Sequence, residues 1–176
     1  MDSIGGALST AFLYVLAAAL MFGVPLMTLS SNNDDIAQMS LQAQTQEFVS
    51  NVATTGVLTE ADYAAYEQAA SADGTAKEIE MQIGIVDENP GKKVTQASST
   101  KYGENVMYYI YQTQIDDTLS QNGRIALSQG NTFSVTAKNK YPTLGDTLNN
   151  FFYSVPQSAA YSIAAQASAT VTVNGD

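Results

Sequence analysis

The positions of apolar and polar residues divide the chain into two unequal regions. Residues from Ile4 to Leu29 are almost all apolar or small, and none of them is charged. A helix of this length is about 39 Å long, whereas the hydrocarbon core of a bilayer is about 30 Å thick. The pattern therefore predicts a helix that either lies in a membrane or is buried by other copies of itself.

A polar segment, Ser30 to Asp35, comes next, and the helix either passes through it or restarts at Asp34. Apolar residues then recur at roughly helical spacing, which predicts an amphipathic helical part over residues 34–52. We expect one face of this part to lie on the rest of the protein, and that face comprises Ile36, Met39, Ala43, Phe48 and Val52. Residues 1–52 are thus predicted to form the N-terminal helix, and residues 53–176 a globular head.

The head shows both strand and helix patterns. Strict alternation of apolar and polar residues predicts half-buried strands at Glu78 to Val86, Thr132 to Lys138 and Tyr161 to Val173. A segment that is apolar on both faces, Asn105 to Ile115, predicts a central strand or one whose outer face meets another subunit. Residues 87–103 are predicted to form a long polar loop.

Two threonines mark the starts of short helices in the head. Thr59 and Thr143 each precede an acidic residue by three positions, which is typical of a capping box. The first of these helices is predicted from Glu60 to about Ala70. Together the patterns predict an α+β protein, in which a long apolar N-terminal helix precedes a small head with an antiparallel β-sheet and short helices.

The composition excludes several kinds of chemistry. The 176 residues carry 17 acidic and 7 basic side chains, and this net charge of −10 argues against nucleic acid or anionic lipid as a partner. The sequence has no Cys and no His, which removes disulfides, thiolate and imidazole catalysis, and most ligands for zinc, copper or haem. The adjacent acidic pairs are expected to be turn or solvated residues. We therefore expect no enzymatic activity, no cofactor and no metal.

Three interpretations of the apolar stretch compete. A secretory signal peptide has a basic start and a shorter apolar core, whereas the first residues of this chain include Asp2 and the first basic residue is Lys77. A simple membrane anchor fits the length, although no basic cluster flanks it to set an orientation. We favour the third interpretation, a helix that leaves the membrane and packs in a filament core, because its small residues allow close approach between helices.

The predicted filament-core residues extend along the whole stretch, and they are Asp2, Ile4, Leu8, Phe12, Val15, Ala19, Phe22, Pro25, Leu26 and Leu29. Pro25 removes one backbone hydrogen bond and is expected to bend the helix. Asp2 is either an N-terminal helix cap or the partner of the terminal amine of a neighbouring subunit. In the second case Asp2 would help to set the register between subunits.

The order of these elements resembles that of a known group of proteins. The resemblance depends on the apolar helix that continues into an amphipathic one and on the segment QEFVSNVATTGVLTEADYAAY at 46–66. A second segment, GNTFSVTAKNKYPTLGDTLNNFFY at 130–153, is followed by the last alternating strand. In these features the chain resembles the pilins and TadE-like pseudopilins of type IV and tight-adherence systems, in the form common in Gram-positive bacteria.

The resemblance implies a structural role rather than catalysis. It implies a subunit that is membrane-inserted before assembly, processed by a prepilin peptidase, extracted by an assembly ATPase at a membrane platform, and polymerised with copies of itself. The product would be an extracellular filament on the cell surface. Two alternatives stay open: a minor pseudopilin that remains a membrane-anchored assembly factor, and a membrane-anchored surface binding protein.

Overall fold

The computed structural model describes residues 2–86, 107–153 and 163–175, and the side chains of residues 2–5 and 151–153 are outside this description. Its longest element is helix α1, which runs without interruption from Asp2 to Thr55 and includes Pro25. The helix therefore passes through the polar segment and does not restart at Asp34. Gly56 follows the last residue of the helix and has a φ of +70°. A Cβ atom on this residue would lie only 2.7 Å from Val173 O, so the position accepts glycine alone.

Nine further elements follow α1 in the described parts of the chain. They are β1 (Val57–Thr59), α2 (Glu60–Ala70), β2 (Lys77–Val86), β3 (Met107–Tyr111), α3 (Gln112–Asn122), β4 (Arg124–Ala126), β5 (Thr132–Asn139), α4 (Leu144–Tyr153) and β6 (Ala164–Thr170). A long apolar helix thus precedes a head built from two antiparallel sheets and short helices. The predicted α+β class is confirmed.

The larger sheet has four antiparallel strands in the order β3-β2-β5-β6. One face of this sheet supplies most of the core, because alternate residues of β5 and β6 point towards α1 and those of β2 lie under α2 and α3. The buried members of this face include Met81, Ile83, Phe133, Val135, Ala137, Ile163, Ala165, Ala167 and Val171. The alternation predicted for these three strands is therefore confirmed, although β6 is shorter than its predicted range and Val173 is exposed.

Both predicted capping threonines start helices. Thr59 is the N-cap of α2, and its hydroxyl accepts a hydrogen bond from the Asp62 backbone N–H at 3.1 Å. At α4 the Asp146 N–H donates to the Thr143 hydroxyl at 3.1 Å, and the Thr143 N–H donates to the Asp146 carboxylate at 3.0 Å. This reciprocal pair is a complete capping box, so two of the N–H groups at the start of α4 are satisfied.

The prediction for residues 105–115 was wrong about the extent of the strand and about its central position. The alternative, a strand whose outer face meets another subunit, stays a prediction. The strand in this region, β3, ends at Tyr111 and lies at the edge of the sheet, and α3 begins at Gln112. Ile115 and Leu119 are four residues apart and are both buried, so they form the core face of a helix. The apolar run of the sequence therefore combines the end of a strand with the start of a helix.

The predicted buried face of the amphipathic part of α1 was also partly wrong. Ile36, Met39 and Ala43 are exposed, whereas Phe48 and Val52 are buried as expected. The face that packs on the head is completed by Leu41, Thr45, Val49 and Ala53. At 100° per residue, Met39 and Phe48 lie on opposite sides of the helix, so one helical face cannot bury both.

Three other details of the prediction have separate outcomes. A small two-stranded ladder between β1 and β4, with Leu58 opposite Ile125, was not predicted. The predicted polar loop at 87–103 lies outside the described residues, as does Tyr161. A bend at Pro25 stays a prediction.

Candidate functional site: the exposed half of the long helix

The first half of α1 has no partner in the head among the described residues. We call residues 6–29 the apolar segment. A window of eighteen residues in this part of the helix has a mean hydropathy of 2.1, and none of the window is buried. The helix is long and apolar enough to cross a membrane. A folded soluble protein rarely exposes a continuous apolar surface of this size, which indicates that lipid or other protein chains cover it.

The structure places most of the predicted filament-core residues on this exposed surface. The exposed members are Leu8, Phe12, Val15, Ala19, Phe22, Pro25, Leu26 and Leu29. Asp2 and Ile4 belong to α1, but their side chains lie outside the described part of the chain. Whether a second copy covers these residues stays a prediction, as do the two roles considered for Asp2.

An apolar row with a spacing of seven residues runs along the helix. Its members are Leu8, Val15, Phe22, Leu29 and Ile36, and each is between 60 and 68% exposed. Seven residues fall about 20° short of two full turns, so the row drifts only slowly around the helix. Ile36 extends this apolar row past the polar segment to the level of the head. The sequence carried this signal in its seven-residue spacing, although the interpretation above assigned Ile36 to the buried face.

The polar segment is the place where the head first contacts α1. The Thr143 hydroxyl donates to the Asp34 carboxylate at 2.7 Å, and Thr143 also caps α4. Gly145 lies so close that a Cβ on it would be 2.4 Å from Asp34 Oδ2. The carboxylate near the start of α4 is also favoured by the helix dipole. Asp34 therefore joins α1 to α4, and the residues after it form the docked segment, 34–55.

Aromatic stacking fixes the docked segment on the head. The Phe48 ring stacks on Tyr66 of α2 with a centroid distance of 4.5 Å and meets the edge of Phe133 at 5.7 Å. The Tyr66 hydroxyl and the Thr45 hydroxyl are 2.8 Å apart in a buried hydrogen bond. Burial raises the pKa of Tyr66, and the hydrogen bond with Thr45 offsets part of this rise.

Two glutamines of the docked segment seal an edge of the larger sheet. Gln38 donates to Ala164 O at 2.5 Å and accepts from Ala164 N at 2.7 Å. Gln42 makes the same pair with Gln166, at 3.1 and 3.4 Å. Four helical residues rise about 6 Å, which matches the rise of about 6.6 Å over two strand residues. The side-chain amides of α1 therefore take the place of a neighbouring strand beside β6.

The head also contains a groove between α1 and α2 with a volume of about 470 Å³. Polar side chains such as Gln44, Glu47 and Asn51 line it together with Phe48 and Ala69. Across the described ranges, no three His, Cys, Asp or Glu side chains are grouped closely enough to hold a metal ion. The residues that line the groove do not form a recognisable catalytic arrangement. The apolar segment is therefore the main candidate site.

Comparisons of the chain with known proteins found no match. No family model matches the chain, and neither a curated protein nor a solved structure matches it. The likeness to pilins therefore consists of shape alone, namely a long apolar N-terminal helix followed by a small head with a sheet.

Proposed function

We propose that this chain is a structural subunit of an extracellular filament, and that copies of it polymerise through the apolar segment of α1. Before assembly the same segment holds the subunit in a membrane. The observation that carries the proposal is the exposed apolar row, because it continues from the membrane-length segment to the level of the head.

The energetics of the exposed side chains support a buried location. Complete burial of a large apolar side chain contributes about 1.5–3 kcal/mol. Phe12, Val15, Phe22 and Leu26 are all more than half exposed in the single subunit. Their burial by lipid or by neighbouring helices therefore supplies a strong driving force for insertion or assembly.

The position of Ile36 favours protein over lipid as the final cover of the apolar row. Ile36 follows the polar residues Asn32 and Asn33 and the charged residues Asp34 and Asp35, and charged side chains are costly in the hydrocarbon core. Ile36 is therefore beyond the membrane, yet it is 61% exposed and continues the row. A membrane anchor alone would leave this residue uncovered, whereas a neighbouring copy of α1 would cover it.

Small residues make close packing between copies possible. Gly6, Ala7 and Ala11 lie near the N-terminus of α1, and a run of three alanines occupies residues 17–19. Such residues let helix backbones approach closely, and the larger residues between them fill the gaps. A prepilin peptidase, an assembly ATPase and a membrane platform enter this proposal through the resemblance to pilins.

One pair of variants separates polymerisation from simple anchoring. Ile36→Asp places a charge on the apolar row outside the membrane and should abolish filaments in material sheared from cells, while membrane insertion before assembly is unchanged. Leu144→Asp is the matched control, because Leu144 is 62% exposed but belongs to α4. Negative-stain microscopy and fractionation of both variants provide the measurements.

The outcomes distinguish the candidate functions. Filaments in the wild type and in Leu144→Asp, with none in Ile36→Asp, support the structural subunit. No filaments in the native wild-type material, or normal filaments in Ile36→Asp, would contradict it and leave a membrane-anchored protein.

A further inference from the structure

A buried amine lies beside a carboxamide and a carboxylate at one end of the larger sheet. Lys77 Nζ is 2.6 Å from Asn139 Oδ1 and 2.5 Å from Asp73 Oδ2. The Thr75 hydroxyl is 2.5 Å from the same nitrogen, and it also donates to the Asp73 carboxylate at 2.8 Å. We call these four residues the lysine cluster. None of them takes part in the assembly surface described above.

Strand register explains why the lysine cluster is buried. Lys77 opposes Asn139 directly in the pairing of β2 with β5. Both residues continue the alternation that points Ile79 and Ala137 to the core face of the sheet. Only 1% of the Lys77 side chain and 1% of Asn139 are accessible to solvent. Water is therefore largely excluded from the space between the amine and the carboxamide.

The carboxamide of Asn139 is incompletely satisfied. Its oxygen accepts from Lys77, but its Nδ2 atom is buried and has no hydrogen-bond partner among the residues that the structure describes. A buried amide nitrogen without a partner costs free energy, and a purely structural asparagine would normally have this donor paired. The unpartnered group is the one that would leave if the amine attacked the adjacent carbonyl carbon.

Asp73 is held in position as a base. Its carboxylate accepts from Lys77, from the Thr75 hydroxyl and from the Thr75 backbone N–H at 2.9 Å. Burial alone raises the pKa of Asp73, but the hydrogen bonds from Lys77 and Thr75 outweigh burial and lower that pKa overall. The carboxylate is therefore ionised at neutral pH, and its direct hydrogen bond with Lys77 Nζ provides the path along which a proton can pass.

We propose that Lys77 and Asn139 become joined by an isopeptide bond within the folded chain. One proton passes from the Lys77 ammonium to the Asp73 carboxylate, and the neutral Nζ attacks the Cγ atom of Asn139. The Cγ–Nδ2 bond then breaks as Nδ2 takes the proton held by Asp73 and a second proton from Nζ. The products are an Nζ–Cγ amide and one ammonium ion, and no oxidant or other reactant is consumed.

The surroundings supply what this reaction needs. The partners are pre-positioned by the sheet, which replaces a bimolecular encounter with a held contact. Exclusion of water from the space between the amine and the carboxamide favours the amide product over hydrolysis. The bond would link β2 to β5 and close the chain from residue 77 to residue 139 into a covalent loop.

Intact mass spectrometry of the full-length chain, purified after folding and then denatured, tests the proposal. The wild type should be lighter than its sequence by one ammonia molecule, and fragmentation should link Lys77 to Asn139. Trypsin does not cleave after an acylated lysine, so the link should also remove cleavage after Lys77. A wild-type mass equal to that of the sequence would overturn the proposal, and so would loss of water mapped to Asp73.

Variants establish the origin of the missing ammonia. Lys77→Ala and Asn139→Ala should both restore the mass of their sequences, whereas Lys138→Ala, a change of the neighbouring lysine, should keep the deficit. Succinimides at the Asn-Gly pairs 122–123 and 174–175 also lose ammonia, but they do not require Lys77 and are cleaved by hydroxylamine. A deficit that persists in Lys77→Ala would refute the bond.

Asp73→Asn tests the role of the carboxylate. This variant keeps both reacting groups and the size of the side chain, so circular dichroism should report a folded protein. The fraction of cross-linked chain should fall from nearly complete to undetectable. Full cross-linking in folded Asp73→Asn would show that Asp73 is not the base. The mass of the wild type tests the proposal by itself, so the test does not depend on whether every variant folds.

Discussion

The two halves of α1 are parts of one helix in opposite surroundings. In the docked segment, Phe48, Val49 and Val52 are buried against the head, whereas large residues of the apolar segment such as Phe12 and Phe22 are exposed. The apolar segment is nonetheless the more hydrophobic of the two. Within the described residues, the head covers the less apolar half of the helix and leaves the more apolar half exposed. That exposed half is the part for which we propose a cover outside the single subunit.

Polar residues distinguish the docked segment from the apolar segment. Gln38 and Gln42 make hydrogen bonds to the backbone of β6, and Thr45 makes one to the Tyr66 hydroxyl. Each of these bonds requires a specific partner group. Among the described residues the apolar segment makes no comparable hydrogen bonds to the head, and Thr10 and Thr28 bond to the helix itself. Specific polar contacts thus define the intramolecular interface, while the proposed external interface offers only shape and apolar area.

The largest expected effect concerns equivalent aromatic residues in the two halves. Phe48→Ala should lower the free energy of unfolding of the head by about 3–5 kcal/mol, because it removes a buried ring that stacks on Tyr66. Phe22→Ala is the control and should leave that free energy unchanged, because the Phe22 side chain is 66% exposed in the described structure. Denaturant melts of the full chain in detergent measure both. Similar losses for the two variants would contradict the comparison.

The next effect concerns the glutamines that seal β6. The double variant Gln38→Ala, Gln42→Ala should cost about 1–2 kcal/mol of head stability, since two pairs of hydrogen bonds are lost at a site that water can reach. Amide hydrogen exchange at Ala164 and Gln166 should accelerate, because their N–H groups lose their acceptors. Unchanged exchange at these two amides would indicate that the seal is dispensable.

The contact at the junction between the two halves should be worth about as much as one helix cap. Thr143→Ala removes the hydroxyl that caps α4 and that donates to Asp34, and it should cost about 0.5–2 kcal/mol. Thr143→Ser keeps the hydroxyl and should retain most of that stability. Thermal melts of the two variants compare them directly. Equal melting temperatures would place the stabilisation elsewhere in α4.

The smallest effect depends on pH and concerns Tyr66. The folded-state pKa of Tyr66 lies above its ordinary value of 10.0, so the unfolded chain loses the phenolic proton first as the pH rises. The contribution of this tyrosine is therefore complete below pH 10.0 and declines as the pH rises towards the folded-state pKa. Melts of wild type and Tyr66→Phe across this range should show a shallower decline in the variant. Parallel curves would exclude Tyr66 as the cause.

Local patterns in the sequence were sufficient to predict most of the head. The alternation in β2 and β5 and the two capping threonines depend on neighbouring residues, and all of them were located within a residue or two. By contrast, the β1–β4 ladder joins residues 57–59 to residues 124–126, and neither three-residue strand has a pattern of its own. Such pairings depend on the tertiary structure and are invisible in a short window of sequence.

The faces of α1 illustrate a different limit. Ile36 and Met39 are apolar and occur at helical spacing, so the sequence could not say whether the head or an external partner covers them. Thr45 is polar yet fully buried, because the Tyr66 hydroxyl satisfies it. The lysine cluster was missed for the same reason, since Lys77 and Asn139 extend the core alternation of their strands with polar residues.

The continuity of α1 has a mechanical consequence. A helix of 54 residues is about 81 Å long, and the same uninterrupted helix contains both the exposed apolar segment and the docked segment that contacts the head. Force applied along the helix axis reaches the contacts at Asp34, Gln38, Gln42 and Ala53 together, because β6 runs beside α1 in the same direction. These contacts are loaded in shear and in parallel, so they must yield together rather than one after another.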